Sequence, residues 1–173
     1  MNKKKLKKIA KDAFPYVIVV ISVILIRTFL ITPAVVDGKS MEPTLHNNNI
    51  VLLNKLDYRF NDIERFDVVV VNFEGEKLIK RIIALPGEHV EYKENNLYID
   101  GFVVDENFKH ATTNDFKLEK IGYLKIPGDK YFVVGDNRND SVDSRMIGLV
   151  DKKDIVGSVS ARIFPLNKIG KVK

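Results

Sequence analysis

The chain of 173 residues contains no cysteine. That absence excludes disulfides, thiolate metal sites and a cysteine nucleophile, and it leaves the redox compartment open. Histidine is scarce too. The three present, His46, His89 and His110, lie far apart without metal-ligand spacing, so neither a zinc site nor any other metal or cofactor is expected. Also missing are a glycine-rich phosphate loop, a Gly-x-Ser-x-Gly nucleophile elbow and a Ser-x-x-Lys signature, which removes the corresponding nucleotide-binding and hydrolase classes. A Ser-His-Asp triad can be drawn on paper, because triads are defined by geometry and not by order. Nothing in the sequence selects a histidine for it.

Negative charge is in slight deficit, with 28 basic against 23 acidic residues and a net charge of +5. The excess is local: Lys3, Lys4, Lys5, Lys7, Lys8 and Lys11 oppose only Asp12, and the remaining 22 basic and 22 acidic groups balance. Phosphate-backbone binding needs a clustered basic surface. No such block occurs outside the tail, so nucleic acid is not an expected partner.

The chain carries one long apolar run. Ala13–Ile31 is about 19 residues long, enough for a helix to span a bilayer, whereas the apolar core of a cleaved signal peptide is usually about 7–15 residues. Its one charge, Arg27, lies near the far end, where a long side chain reaches the interface. The lysines before it place the N-terminus in the cytoplasm. The expected organisation is a lysine-rich cytoplasmic tail (1–12), a transmembrane anchor (13–31) and an extracytoplasmic domain (32–173), a length that suits one domain with a terminal appendage.

Past Pro33 the texture becomes short alternating runs of Val, Ile, Tyr and Phe, which predicts strands. They are expected near Asn49–Lys55, Asp67–Phe73, Lys77–Ile83, Val90–Tyr92, Leu97–Ile99, Phe102–Val104, Tyr123–Ile126, Tyr131–Gly135 and Ile155–Arg162. Asn95-Asn96 and Asp100-Gly101 are turn formers at hairpin positions. With such short connections, a mainly β domain, an antiparallel sheet or barrel, follows. The polar, lysine-rich stretch Asp105–Gly122 is expected as a mobile insertion.

Three short segments carry candidate chemistry. Ser40 stands in Asp37-Gly38-Lys39-Ser40-Met41-Glu42-Pro43-Thr44-Leu45, and read alone it is either a turn hydroxyl or a nucleophile. A lysine can accept a serine proton only when neutral, so burial must lower its pKa from the usual 10.4 or so. Lys80 meets that need. Strand alternation in Lys77–Ile83 puts Leu78, Lys80 and Ile82 on one face and Ile79, Arg81 and Ile83 on the other, so a cation shares an apolar face. An edge-strand lysine that resists aggregation is the alternative. Third comes Gly135-Asp136-Asn137-Arg138-Asn139-Asp140-Ser141-Val142-Asp143-Ser144-Arg145, a loop of turn formers whose carboxylates and guanidiniums can lock one another, or a solvated surface loop.

Ser40-Met41-x-Pro43-Thr44-Leu45, Lys80-Arg81-Ile82-Ile83-x-Leu85-Pro86-Gly87 and Gly135-Asp136-Asn137-Arg138-x-x-Ser141-x-Asp143-Ser144-Arg145 resemble, in order and spacing, the three main motif boxes of bacterial type I signal peptidases. With the N-terminal run and weaker likeness at Asp67–Val71, the resemblance covers nearly the whole chain, and the length is similar to the small Gram-positive form. It implies a membrane-anchored serine endopeptidase that removes signal peptides. Ser40 matches the nucleophile and Lys80 the general base; Ser141 matches the hydroxyl that orients the lysine, Asp143 and Arg145 a buttressing ion pair, and Arg81 a supporting residue. The oxyanion donors it implies are the Ser40 N–H and a donor from Gly38, which here can only be backbone. Implied partners are the lipid bilayer and preproteins with small residues at the first and third positions before the cut. Lys39 beside the serine, Glu88, and Arg65-Phe66-Asp67 depart from the commonest pattern. Two other readings of the chain are an inactive homologue that binds secreted chains and a self-cleaving Ser/Lys protein of the related fold. Both Ser40 and Lys80 are present, against the first, and the apolar run counts against the second.

Overall fold

The computed structural model describes residues 11–23 and 31–172. Residues 11–23 form a helix, α1, whose side chains are exposed. Part of the expected tail and of the expected anchor lies outside the described residues. Among those described, no helix is long and apolar enough to cross a membrane.

From residue 31 onward the chain is mainly β, as its alternation predicts. The strands are β1 (Ile31–Val35), β2 (Ile50–Asn54), β3 (Val68–Phe73), β4 (Glu76–Ala84), β5 (Val90–Lys93) and β6 (Asn96–Ile99). They continue with β7 (Phe102–Val104), β8 (Phe116–Lys117), β9 (Lys130–Val134), β10 (Val150–Asp151), β11 (Ile155–Phe164) and β12 (Gly170–Lys171). Two four-residue helices, α2 (Asp57–Phe60) and α3 (Ser144–Ile147), interrupt them. Among the described residues the larger sheet follows the path β1-β2-β11-β3-β4-β9-β10 with β12 beside β11, and the smaller runs β7-β6-β5-β8. Pairing is antiparallel throughout. The large sheet is thus an open path from β1 to β10 instead of a closed barrel.

Burial explains the strand sequences. β3 reads Val68-Val69-Val70-Val71, all buried, because alternate valines serve two cores. Val68 and Val70 pack with Met41, Leu45 and Val159, while Val69 and Val71 pack with Ile82, Tyr131 and Val133. A third core joins the sheets, with Ile83 and Phe132 from one against Tyr92, Leu97 and Phe116 of the other. β1 contains Pro33 and lies at an edge, where a missing N–H breaks no ladder.

Three expectations need correction. Tyr123–Ile126 is not a strand. Gly122, left-handed at φ 86°, ends a 3₁₀ turn just before it, and Pro127 follows, so Tyr123 N–H donates back to Leu118 O while Ile126 exchanges backbone hydrogen bonds with Gly87 and Glu88. The β5–β6 turn falls one residue early, on Glu94-Asn95, both with positive φ. Finally, the segment 105–122 packs onto the domain: Thr113, Phe116 and Leu118 are buried, and Phe116 pairs with Tyr92 through β8. β1, β8, β10 and β12 were not foreseen, the last three being two residues each and too short to show alternation.

Candidate active site

Ser40 opens a tight turn. Glu42 N–H donates to Lys39 O at 3.0 Å and Leu45 N–H to Met41 O at 2.8 Å, so Met41 and Leu45 project from the same side one helical turn apart and are both buried in the core. That apolar grip fixes the turn and leaves Ser40 half-buried above it. Lys80 approaches from β4, where it pairs with Val69 of β3. Only 3% of Lys80 is exposed, and its Nζ is hydrogen-bonded to Ser40 Oγ at 2.8 Å. Burial, the largest influence, lowers the Lys80 pKa to about 8; Arg145 pushes the same way, while Asp143 and Asp136 oppose it. An amine in that condition is neutral in an appreciable fraction of molecules near neutral pH, and it lies within proton-transfer distance of a hydroxyl.

The next residue along the strand faces a different environment. Arg81 is fully buried and binds both carboxylate oxygens of Asp136, at 2.8 and 2.6 Å. Its Nη1 donates to Phe66 O at 2.9 Å, and its guanidinium lies 3.9 Å from the centre of the Phe108 ring. The Thr44 hydroxyl donates to Asp136 Oδ2 at 2.5 Å. A buried cation is thereby paired, hydrogen-bonded and tied to the serine turn.

The loop between β9 and α3 contacts both the serine turn and Arg81 of β4. Arg145 Nε and Nη2 reach Asp143 Oδ1 and Oδ2, both at 2.8 Å. Asp143 also caps α3 and accepts Gly135 N–H at 3.1 Å. Arg145 Nη2 donates to Arg138 O at 2.8 Å. Besides the Thr44–Asp136 bond, two more join this loop to the serine turn: Asn137 N–H donates to Ser40 O at 3.0 Å and Asn137 Nδ2–H to Lys39 O at 3.2 Å.

Ser40, Lys80, Arg81, Asp143 and Arg145 thus fall within one connected network. Ser141 belongs to it by position, but its buried Oγ makes no hydrogen bond, so the bond to Lys80 expected from the resemblance is not formed in this structure. The Gly38 N–H, expected to be free as an oxyanion donor, donates to Asn47 Oδ1 at 2.9 Å. Each histidine pairs with a carboxylate elsewhere, His46 with Glu42, His89 with Glu119 and His110 with Glu106. Among the described residues no group of histidine and carboxylate side chains is placed to hold a metal ion.

Sequence reasoning quoted Asp136, Asn137 and Thr44 inside motifs without giving them roles, and it missed Phe108 and Glu106 altogether. Glu106 meets Arg138 Nη2 at 2.6 Å across 32 residues, a separation that no local pattern reveals. Two of the departures from the commonest pattern prove to be partners: Arg65 binds Glu88 at 2.6 and 3.0 Å and donates to Ile83 O at 2.8 Å.

Compared with known proteins, residues 8–164 match the family described as signal peptidase, peptidase S26. The chain belongs to this family. It is a peptidase, and the Ser40–Lys80 contact lies inside the matched stretch. The chain is 45% identical over 164 residues to signal peptidase I of Bacillus amyloliquefaciens, covering 91% of this chain and 89% of that one. With signal peptidase I S of Bacillus subtilis (strain 168) the identity is 43% over 178 residues, 98% and 97% of the two chains. A solved signal peptidase I from Enterococcus faecalis V583 superposes with a TM-score of 0.54 at 36% identity, covering 58% of this peptidase and 98% of that chain.

Proposed function

We propose that this peptidase cleaves N-terminal signal peptides from exported preproteins by a Ser40/Lys80 dyad, working as a domain anchored at the outer face of the cell membrane. The observation that carries this reading is the 2.8 Å contact between Lys80 Nζ and Ser40 Oγ, made by a lysine whose burial lowers its pKa to about 8. Neutral Lys80 takes the proton of Ser40 Oγ as that oxygen attacks the carbonyl carbon at the end of the signal peptide. The protonated amine then gives the proton to the departing amino group, leaving an acyl-enzyme. Lys80, neutral again, takes a proton from the water that attacks the ester carbonyl and returns it to Ser40 Oγ as the carbonyl–Oγ bond breaks. Charge on the tetrahedral oxygen is met by the Ser40 N–H and, once Asn47 yields it, by the Gly38 N–H.

The remaining residues hold the dyad. Arg145 and Asp143 neutralise each other beside Lys80, Arg81 locks Asp136 behind the serine turn, and Ser141, whose hydroxyl has no other partner, is available to orient the amine. The substrate lies as an extended strand along an exposed sheet edge, with small residues at the first and third positions before the cut. Residues 1–12 are a cytoplasmic tail and the apolar run from residue 13, which gives way to β1 at Ile31, is the single transmembrane anchor, supported by its length and the lysines before it. Holding enzyme and preprotein at one lipid surface raises their effective concentration.

The test is incubation of the purified full-length protein with a preprotein in detergent, beside Ser40→Ala. Cleavage at the signal-peptide boundary by the wild type alone is expected, with the two proteins unfolding at closely similar temperatures. Undiminished cleavage by Ser40→Ala would remove the serine from the chemistry.

A further inference from the structure

The turn that carries Ser40 is held at its far end by a side chain from near the C-terminus. Arg162, in β11 and half-buried, donates from Nη1 to Thr44 O at 2.9 Å and from Nε to Lys168 O at 2.7 Å. Thr44 is therefore gripped twice, its hydroxyl by Asp136 at 2.5 Å and its carbonyl by Arg162. The other polar ties on the turn come from Asn137 and Asp136 in the loop after β9 and from Arg81 of β4, whose Nη2 donates to Thr44 Oγ1 at 3.5 Å. Arg162 supplies a tie from a different part of the fold, 118 residues from Thr44.

We propose that Arg162 is a positioning residue for Ser40, and that the C-terminal segment 165–172 acts on the active site through it. The inference rests on the reading of Ser40 as nucleophile. A planar guanidinium presents its N–H groups in a rigid fork, so holding Lys168 O with Nε fixes where Nη1 lies and hence where Thr44 O must be. The segment that provides Lys168 O is itself fixed to the same strand. β12 pairs Gly170 and Lys171 with Arg162 and Ala161, and Val172 packs against the core that buries Met41 and Leu45. A shift of the C-terminal segment is thus passed by one side chain to a residue four positions from Ser40. Residues 165–172 lie beyond the stretch 8–164 that the family match covers, so this tie couples the common machinery to a part of the chain outside it. Geometry at the nucleophile is demanding, because a misplacement of about 1 Å can cost on the order of 100-fold in rate.

The experiment uses the full chain in detergent with a preprotein substrate, comparing wild type, Arg162→Gln, Arg162→Lys and Ser40→Ala for kcat, KM, the pH dependence of kcat and thermal unfolding. Arg162→Gln is expected to lower kcat by on the order of 10- to 100-fold with KM within about twofold, and Arg162→Lys, which can satisfy one carbonyl of the two, to fall between. A loosened turn also uncovers Lys80, so the midpoint of the pH profile moves up from about 8 towards the ordinary lysine value, a change that loss of fold stability alone does not produce. Wild-type kcat and pH profile in Arg162→Gln, or a defect confined to KM, would overturn the proposal. If Arg162→Gln melts below the assay temperature, Arg162→Lys decides: an unchanged kcat overturns, and a reduced kcat with a raised midpoint supports. Activity surviving in Ser40→Ala marks failure of the nucleophile reading instead.

Discussion

At Gly135 the site tolerates a hydrogen and nothing larger. A methyl group there would stand 2.4 Å from Ser40 O and 2.3 Å from Ser141 Oγ, and the first of these is backbone on the Ser40 turn. Gly135→Ala is expected to cost about 1–3 kcal/mol of stability through overpacking and, by displacing Ser40, on the order of 100-fold in kcat; denaturant unfolding and steady-state cleavage check the two effects. Single residues were also where the sequence was most legible. Ser40 and Lys80 could be picked out as candidates from their segments, but each kept a second reading, and their pairing was legible only in the likeness of the two segments to the motif boxes. Asp136 was less so, since its role depends on a bidentate contact with Arg81 across 55 residues. Gly38 and Ser141 show the limit most plainly: their types fit the expected roles, but whether an N–H or a hydroxyl is engaged is decided by neighbours such as Asn47 that no spacing announces.

Between elements, the loop 135–145 joins three parts of the chain. It reaches the serine turn through Asn137, β4 through the Asp136–Arg81 pair, and the segment 105–122 through Arg138, which binds Glu106 at 2.6 Å and Thr113 at 2.7 Å. Ala111 N–H donates back to Asp136 O at 2.9 Å. Most strands of both sheets could be read from alternation, β1, β8, β10 and β12 excepted, yet the segment 105–122 could not, because a polar stretch looks alike whether its charges face water or a buried arginine. Asp136→Ala leaves the Arg81 guanidinium buried without its carboxylate, and breaking one partner of such a pair costs roughly 3–5 kcal/mol. Stability and cleavage are expected to fall together in that variant, as read by equilibrium unfolding and preprotein processing. A variant with wild-type unfolding would mean that Arg81 finds another anion.

For the whole molecule, the proposed orientation rests on the lysine-rich start and the apolar run. Protease added outside intact cells or right-side-out vesicles is expected to digest the chain beyond residue 31 and spare the N-terminal tail; a protected domain would reverse the topology. The domain itself confines one lysine in a dry site at a cost in stability. A lysine with a folded pKa near 8 against about 10.4 unfolded binds fewer protons when folded, so stability rises with pH across that interval. Activity is expected to carry the same sign, since in the proposed mechanism the base is present only when Lys80 has lost its proton. The decisive measurement is the rate of preprotein cleavage from about pH 6 to 10 by wild type and Lys80→Arg, the latter keeping a cation whose pKa above about 12 forbids a neutral form. Wild-type turnover is expected to climb through a midpoint near 8 while Lys80→Arg stays at background at every pH; wild-type turnover by Lys80→Arg would contradict the Ser40/Lys80 mechanism.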